Sequence, residues 1–181
     1  MEKGKKRVTY PDIAAVNNEE VQIVVLPKVG MDYGLGNGVE AGWRIASTSV
    51  SGEIRKQLLY EKKSKVNFAV ESGVSIGTVS YGNYGGTLSY NNKHVIFGDT
   101  QEYIGIHHNV YFDSHDESRR LQLIKERFRN DSNIQFTVGR QFFPDDVVNI
   151  FLEGNFYKYT EKDKEDEEPT FVLSIGVTHE Y

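Results

Sequence analysis

The chain has 181 residues, a net charge of −5 and no cysteine. This length suits a single domain, and the acidic balance gives no general attraction to nucleic acid. Without cysteine there is no disulfide scaffold and no thiolate zinc site, so any metal would need His, Asp or Glu ligands. No apolar run approaches the roughly 20 residues of a membrane-spanning helix. The opening MEKGKKRVTYPDIAAV lacks the apolar region of a signal peptide.

Residues 1–19 are polar and irregular, and they predict a flexible N-terminal arm because Pro11 and the Asn-Asn-Glu-Glu run are typical of loops. From residue 20 to 181, apolar and polar residues alternate in segments separated by turn residues, which predicts one β-domain. The predicted strands are 21–35, 38–47, 52–60, 65–80, 87–98, 102–112, 133–142, 147–159 and 171–181. The GNG at 36–38 and the YGNYGG at 81–86 are predicted turns, since glycine supplies the positive-φ positions that tight turns need.

Two segments fit a helix as well as a strand. Residues 51–65 and 114–130 carry apolar residues at spacings of three to four behind a Ser that could cap a helix. If 114–130 is a strand the count is ten, and otherwise it is nine or eight.

The predicted strands share one division of residue types. One face carries bulky aliphatic and aromatic residues, and the other carries Gly, Ser and Asn together with charges. The charges are Glu40, Arg44, Arg55, Glu71 and Glu153. A small transmembrane barrel would turn the apolar face to lipid and enclose these charges as an interior network. A soluble barrel or sandwich would instead turn the apolar face inward, where it could bind a small apolar ligand. Alternation alone fits both.

The last stretch, FVLSIGVTHEY, resembles the assembly signal of bacterial outer-membrane β-barrels, which has a central Gly, alternating apolar residues and a terminal aromatic. Gly176, Val177, His179 and Tyr181 occupy these positions, with His179 in place of the usual aromatic. The stretch YGLGNGVEAGWRI and the segment from Ser51 to Gly77 also resemble poorly characterised outer-membrane barrels of Gram-negative bacteria.

The resemblance implies an all-β fold, a closed antiparallel up-and-down transmembrane barrel of 8–10 strands over residues 20–181. It also implies a bacterial outer-membrane location after removal of a signal peptide, with outer-membrane lipid and the barrel-assembly machinery as partners. A cytoplasmic location remains the alternative if the chain is soluble. A barrel this narrow has an interior filled by side chains, so a structural, surface-interaction or narrow-conduit role is expected.

An enzymatic role has weaker support. Outer-membrane barrels that hydrolyse lipids use Ser and His at the rim, and the available neighbours are Ser114 with His115 and Ser89 with His94. No G-x-S-x-G nucleophile motif is present, so the sequence predicts no catalytic residue, and a rim-active lipid hydrolase remains a second alternative.

No metal or cofactor is predicted. His107, His108 and His115 with Asp113 and Asp116 form a His/carboxylate cluster, but adjacent residues on a strand point to opposite faces. The acidic segment 161–168 lacks the glycine and spacing of a calcium loop, and it is interpreted as a solvated loop.

Overall fold

In the residues that it describes, a computed structural model contains twelve β-strands. It describes residues 2–18, 20–26, 28–46, 49–59, 65–77, 80–94, 98–112, 132–143, 147–159 and 170–181. The strands are β1 (Lys6–Thr9), β2 (Asp12–Asn18), β3 (Glu20–Leu26), β4 (Lys28–Gly36), β5 (Val39–Ala46), β6 (Ser49–Leu59), β7 (Val66–Gly77), β8 (Ser80–His94), β9 (Gly98–Phe112), β10 (Ser132–Phe143), β11 (Val148–Tyr159) and β12 (Thr170–Glu180). In this part of the chain no helix is long and apolar enough to span a membrane.

The strands form a closed antiparallel barrel. β4 to β12 pair in sequence order, β1 pairs with β4, and β12 pairs back with β1, so the ring contains ten strands. β2 pairs with β12 just as β1 does, so the hairpin of β2 and β3 extends the barrel wall. Closure satisfies the backbone groups that an open sheet edge would leave unpaired.

β1 and β2 together act as one long first strand with a single irregularity. Thr9 pairs with Thr178 and Ile13 with Ile175, so four steps on this strand face three on β12. The extra residue falls near Pro11, which has no backbone N–H to donate to a neighbouring strand. A bulge is therefore where a proline fits in a sheet.

The prediction that residues 1–19 form a flexible arm is wrong for most of these residues. Residues 6–9 and 12–18 lie in β1 and β2 and form the strand against which the last strand closes. Pro11 was interpreted as a loop signal, but it sits at the irregularity between two paired segments.

The barrel class and the upper strand count of ten are confirmed, although the strands differ from those predicted. The segment 49–59 is a strand, and the predicted turn at 81–86 lies within β8. The glycines of that segment belong to the barrel wall, where they make room for neighbouring side chains. The undecided segment 114–130 lies outside the described residues.

The turn predicted at 36–38 is confirmed. Gly36, Asn37 and Gly38 have φ values of 94°, 50° and 71°, and they join β4 to β5. Positive φ is the conformation that glycine and asparagine adopt at least cost.

Both termini lie at one end of the barrel, because the number of barrel strands is even. The connections at this terminal end are short: 37–38, 60–65, 95–97 and 144–147. The two longest connections, 113–131 and 160–169, both belong to the opposite end. The two ends of the barrel are therefore unequal.

Candidate functional site in the barrel interior

The barrel has a polar inside and an apolar outside. Among the described residues, the buried hydrophobic ones are only Ala14 and Ala69. The buried polar residues are Thr9, Asp12, Asp32, Asn67, Ser75, Thr87, Ser89, Thr100, Asn109, Asn133, Thr137, Asn149, Asn155, Ser174 and Thr178. The exposed residues include large hydrophobics from most of the strands, such as Ile76 at 67% and Ile104 at 57% exposure. The alternative of a soluble barrel with its Val, Ile and Phe face turned inward is therefore wrong.

Three of the predicted interior residues lie side by side. Glu40 pairs with Arg55 across β5 and β6, and Arg55 pairs with Glu71 across β6 and β7. Arg44 and Glu153 share the polar face of their strands but belong to separate clusters. The five predicted interior residues therefore take part in several separate contacts along the inner wall of the barrel.

Arg44 is the centre of a charged cluster on β4, β5 and β6. Its Nη1 lies 2.7 Å from Glu53 Oε1, and its Nη2 lies 3.2 Å from Asp32 Oδ1. Asp32 and Glu53 both pair with Gly42, which stands between them. A Cβ at Gly42 would lie 2.0 Å from Asp32 Oδ1, so the glycine leaves the space that the carboxylate occupies. A low-dielectric interior requires such charges to be paired.

Glu71 forms a second cluster that also crosses a glycine. Its Oε1 accepts a hydrogen bond of 2.9 Å from Thr87 Oγ1 and contacts His107 Nε2. Gly85 stands between Glu71 and His107 in the pairing of β7, β8 and β9. A Cβ there would lie 2.3 Å from His107 Cδ2 and 2.2 Å from the Ile106 carbonyl oxygen. The imidazole can reach the carboxylate two strands away because Gly85 has no side chain.

Tyr103 and Glu153 repeat this arrangement on β9, β10 and β11. The Tyr103 hydroxyl donates a 2.8 Å hydrogen bond to Glu153 Oε2, and Gly139 stands between the two residues. A Cβ at Gly139 would lie 2.3 Å from Tyr103 Cζ. In all three clusters, an interior glycine separates two longer polar side chains that face each other across it.

Uncharged amide side chains form a hydrogen-bonded network on the same interior wall, toward the end of the barrel opposite the termini. Asn109 Nδ2 donates to Asn133 Oδ1 at 2.8 Å, and Asn133 Nδ2 donates to the Tyr111 hydroxyl at 2.7 Å. Gln135 Nε2 donates to Asn155 Oδ1 at 2.7 Å. Asn155 Nδ2 in turn donates to Glu153 Oε1 at 2.8 Å, which joins the amides to the Tyr103 cluster. Buried amides of this kind are costly unless they are paired.

The two adjacent histidines point to opposite faces, as predicted. His107 contacts Glu71 inside, whereas His108 Nδ1 lies 2.8 Å from the hydroxyl of Tyr84, an exposed residue of the outer face. Within the described ranges, no group of three or more His, Cys, Asp or Glu could hold a metal ion. Asp113, His115, Asp116 and the acidic segment 161–168 fall outside these ranges.

The predicted serine–histidine neighbours are not brought together in what the structure describes. Ser89 is buried in the interior. Ser114 and His115 lie outside the described residues, as does the placement of the His94 side chain. The rim-hydrolase interpretation stays a prediction.

The C-terminal strand closes the barrel. The Tyr181 N–H donates to the Lys6 carbonyl at 2.8 Å, and the Lys6 N–H donates to the Tyr181 carbonyl at 3.2 Å. Gly176 is buried, Val177 faces outward, and the rings of His179 and Tyr181 make an edge contact at 4.2 Å. This geometry shows where the four predicted assembly-signal residues lie and leaves their recognition as a prediction.

Sequence reasoning missed His107 and Tyr103 as members of the interior network. Alternation along 102–112 places both on the same face as Gly105 and Asn109, opposite Ile104 and Ile106. Their partners across Gly85 and Gly139 depend on the register of three strands, which the sequence pattern does not specify.

The chain matches no protein-family model and no curated protein sequence. Among solved structures, it is similar to the NanC porin at 9% identity, with a TM-score of 0.52 and coverage of 97% of this chain and 98% of that one. It also matches Neisserial surface protein A at 10% identity, with a TM-score of 0.42 and coverage of 99% and 98%. The N-terminal β-barrel domain of Pseudomonas aeruginosa OprF matches at 10% identity, with a TM-score of 0.39 and full coverage of both chains. The closed ring, the inverted burial and the likeness to NanC agree that the chain has the fold of a bacterial outer-membrane β-barrel protein.

Proposed function

We propose that the protein is an integral barrel of the bacterial outer membrane with a structural or surface-interaction role. The inverted burial carries the proposal. Burying large hydrophobic side chains drives a soluble protein to fold, yet here the large apolar side chains cover the outside and amides and charges fill the inside. Lipid is the solvent that suits this outer face.

The unequal ends of the barrel support an orientation. Outer-membrane barrels have short periplasmic turns and longer extracellular loops. Every connection at the terminal end is short and the two longest lie at the opposite end, so the terminal end is proposed to face the periplasm. The opposite end of the barrel would then face the cell surface, which suits a surface-interaction role.

The interior clusters are proposed to stabilise the barrel wall. Each one spans three successive strands: Arg44 with Asp32 and Glu53, Glu71 with His107, and Tyr103 with Glu153. Cross-strand contacts of this reach resist sliding of one strand against the next, since a shift of register would break them.

A narrow conduit for small polar solutes is a second candidate, and the polar lining favours it. The similar NanC structure is described as a porin. Single-channel recording in planar bilayers tests this role. A conduit should give discrete conductance steps that change when Arg44→Ala alters the interior charge, whereas a purely structural barrel should give none.

The barrel-assembly machinery is the proposed partner of the last strand. Gly176, Val177, His179 and Tyr181 would form the recognised signal. We expect Tyr181→Ala to reduce the amount of barrel assembled in cells while leaving spontaneous refolding in detergent unchanged. Equal losses in both assays would assign Tyr181 to barrel stability alone.

Membrane insertion is tested by purification with and without detergent. A transmembrane barrel should be monodisperse only in detergent or lipid, and its unheated form should migrate differently from the heated form on a gel. A folded and monodisperse protein in plain buffer would contradict the proposal.

A further inference from the structure

The outer face of β8 to β12 contains a groove of about 810 Å³. Its walls are apolar side chains of the lipid-facing rows, among them Leu88, Ile104, Val138 and Phe156. A neighbouring depression shares these four residues and extends past Phe136. The groove and the depression therefore form one mainly apolar concavity on the outside of the barrel, and the groove also borders Ser89, Tyr103 and Gly139 of the interior face.

Two outward-facing glycines are among the lining residues of these concavities. Gly154 belongs to the groove and Gly86 to the neighbouring depression. Phe171 and Phe68 stand beside these glycines, each with a ring carbon 3.2 Å from the position of a Cβ. The absence of a side chain at each glycine leaves the room that the neighbouring ring occupies, so the rings pack over the glycines. An extended hydrocarbon chain fits such a surface.

One end of the groove is polar. Arg140 and Glu102 pair across β9 and β10 and form an ion pair there, with side chains 46% and 39% exposed. Both face outward, since they lie two residues from Val138 and Ile104. Tyr90 pairs with Glu102 and also lines this end.

The ion pair lies in the half of the barrel nearer the termini. Arg140 is three residues from the end of β10, and Glu102 is four residues from the start of β9, both at the terminal end of the barrel. Leu88, Ile104 and Val138 lie near the middles of their strands. The groove thus begins in the half of the barrel nearer the termini, where the ion pair lies, and extends past mid-height to Phe156 and Phe171 near the opposite ends of β11 and β12.

We propose that this groove binds one zwitterionic phospholipid of the leaflet at the terminal end. The lipid phosphate binds the Arg140 guanidinium, whose fork of donors suits a phosphate, and the lipid ammonium binds the Glu102 carboxylate. An acyl chain lies along Leu88, Ile104 and Val138. The site offers one charge of each sign, so it complements a headgroup that carries both. The inference rests on the proposed membrane location.

The test compares two lipids bound by the detergent-purified barrel. Native mass spectrometry of the protein with equimolar phosphatidylethanolamine and phosphatidylglycerol reports which lipid is retained. We expect a preference of about tenfold for phosphatidylethanolamine, which corresponds to one modest polar interaction. Arg140→Ala should lose retention of both lipids. Glu102→Gln leaves a site of net positive charge and should shift the preference to phosphatidylglycerol.

Two further variants make the test specific. Lys158→Ala removes an exposed charge near the opposite end of β11 and should leave both retention and preference unchanged. Val138→Trp fills the groove below the ion pair and should abolish retention with the charges intact. A reversal of lipid preference by Glu102→Gln is a result that a merely structural ion pair would not produce.

Equal retention of the two lipids in the native chain and in both charge variants would overturn the proposal. So would a lipid-free dimer that Arg140→Ala dissociates, since this would assign the groove to a second copy of the chain. The gel shift of the unheated barrel is recorded for every sample. A chain that never inserts contradicts the proposed function, whereas an inserted barrel without lipid preference contradicts only the lipid site.

Discussion

Gly85 and Gly86 are neighbours on β8, and they show how differently the two faces of the barrel use the same residue. Gly85 faces inward beneath the His107 ring, where it lets a polar contact span two strands. Gly86 faces outward beside the Phe68 ring, which covers it on the apolar surface. Inside, glycine makes room for hydrogen bonds. Outside, an aromatic ring covers the bare backbone, a known device in sheets.

The same contrast recurs at Gly139 and Gly154. Gly139 lies under the Tyr103 ring in the interior, with a Cβ position only 2.3 Å from that ring. Gly154 lies beside the Phe171 ring outside, at 3.2 Å. The interior sites are the tighter ones in both pairs, so substitutions should cost more inside than outside.

Gly85→Ala gives the largest expected effect. The new Cβ would lie 2.2 Å from the Ile106 carbonyl oxygen, so the backbone of β9 must move. We expect a loss of about 3 kcal/mol or more in the free energy of unfolding, at the upper end of overpacking costs. Urea unfolding in detergent micelles measures it. The matched control is Gly86→Ala, where the nearest atom is a Phe68 ring carbon at 3.2 Å and a loss below about 1 kcal/mol is expected. Equal losses at the two sites would remove the contrast between the faces.

Ile104→Arg tests the outer face at mid-barrel. Ile104 is 57% exposed and lies near the middle of β9, where an arginine would contact hydrocarbon. We expect a loss of about 2–4 kcal/mol in lipid vesicles.

The control for Ile104→Arg is the same substitution near the end of a strand. Ile76 is 67% exposed and lies one residue from the end of β7, so Ile76→Arg should cost only about 0–1 kcal/mol. If both variants unfold at the same urea concentration as the native chain, this face does not contact lipid.

Gly139→Ala should be rescued by a second substitution. Unlike Gly85, Gly139 is crowded by a side chain, the Tyr103 ring. We expect Gly139→Ala to cost about 1–3 kcal/mol, and the further change Tyr103→Ala to cost less in this background than in the native chain. A double-mutant cycle of unfolding free energies measures the coupling. Simple additivity would show that the ring is not the obstacle.

The sequence predicted the faces of these strands better than their contacts. Strict alternation placed Glu71 and His107 on the polar face, because a side chain of a strand must point to one side or the other. It did not reveal their contact, which depends on which residues pair across β7, β8 and β9. The pattern also misled at 81–86, where three glycines among two tyrosines and an asparagine resembled a turn. Those glycines serve packing between strands, and no local rule separates that use from a turn.

The N-terminal strand was missed for a related reason. β1 and β2 contain few large apolar residues, and Pro11 interrupts them. Their strand structure comes from pairing with β12 and with β3 and β4. Closing the barrel requires that pairing. Closure is a property of the whole ring, so the local sequence does not reveal it.

A last pair of variants removes one hydroxyl on each face, and the outer variant has the smallest expected effect. Tyr103→Phe deletes the donor to the Glu153 carboxylate at a half-buried interior site, while Asn155 still donates to the other carboxylate oxygen. A hydrogen bond to a charged group contributes about 1.5–3 kcal/mol, and the remaining bond places the expected loss at the lower end. Tyr84→Phe deletes the outer hydroxyl that contacts His108, and at this exposed position a loss below about 0.5 kcal/mol is expected. Both variants remove a tyrosine hydroxyl oxygen. The difference between their urea midpoints therefore reports how much more the hydroxyl stabilises the barrel in one environment than in the other. A larger loss for Tyr84→Phe would place the more important polar contact on the outer face, at the membrane–water boundary.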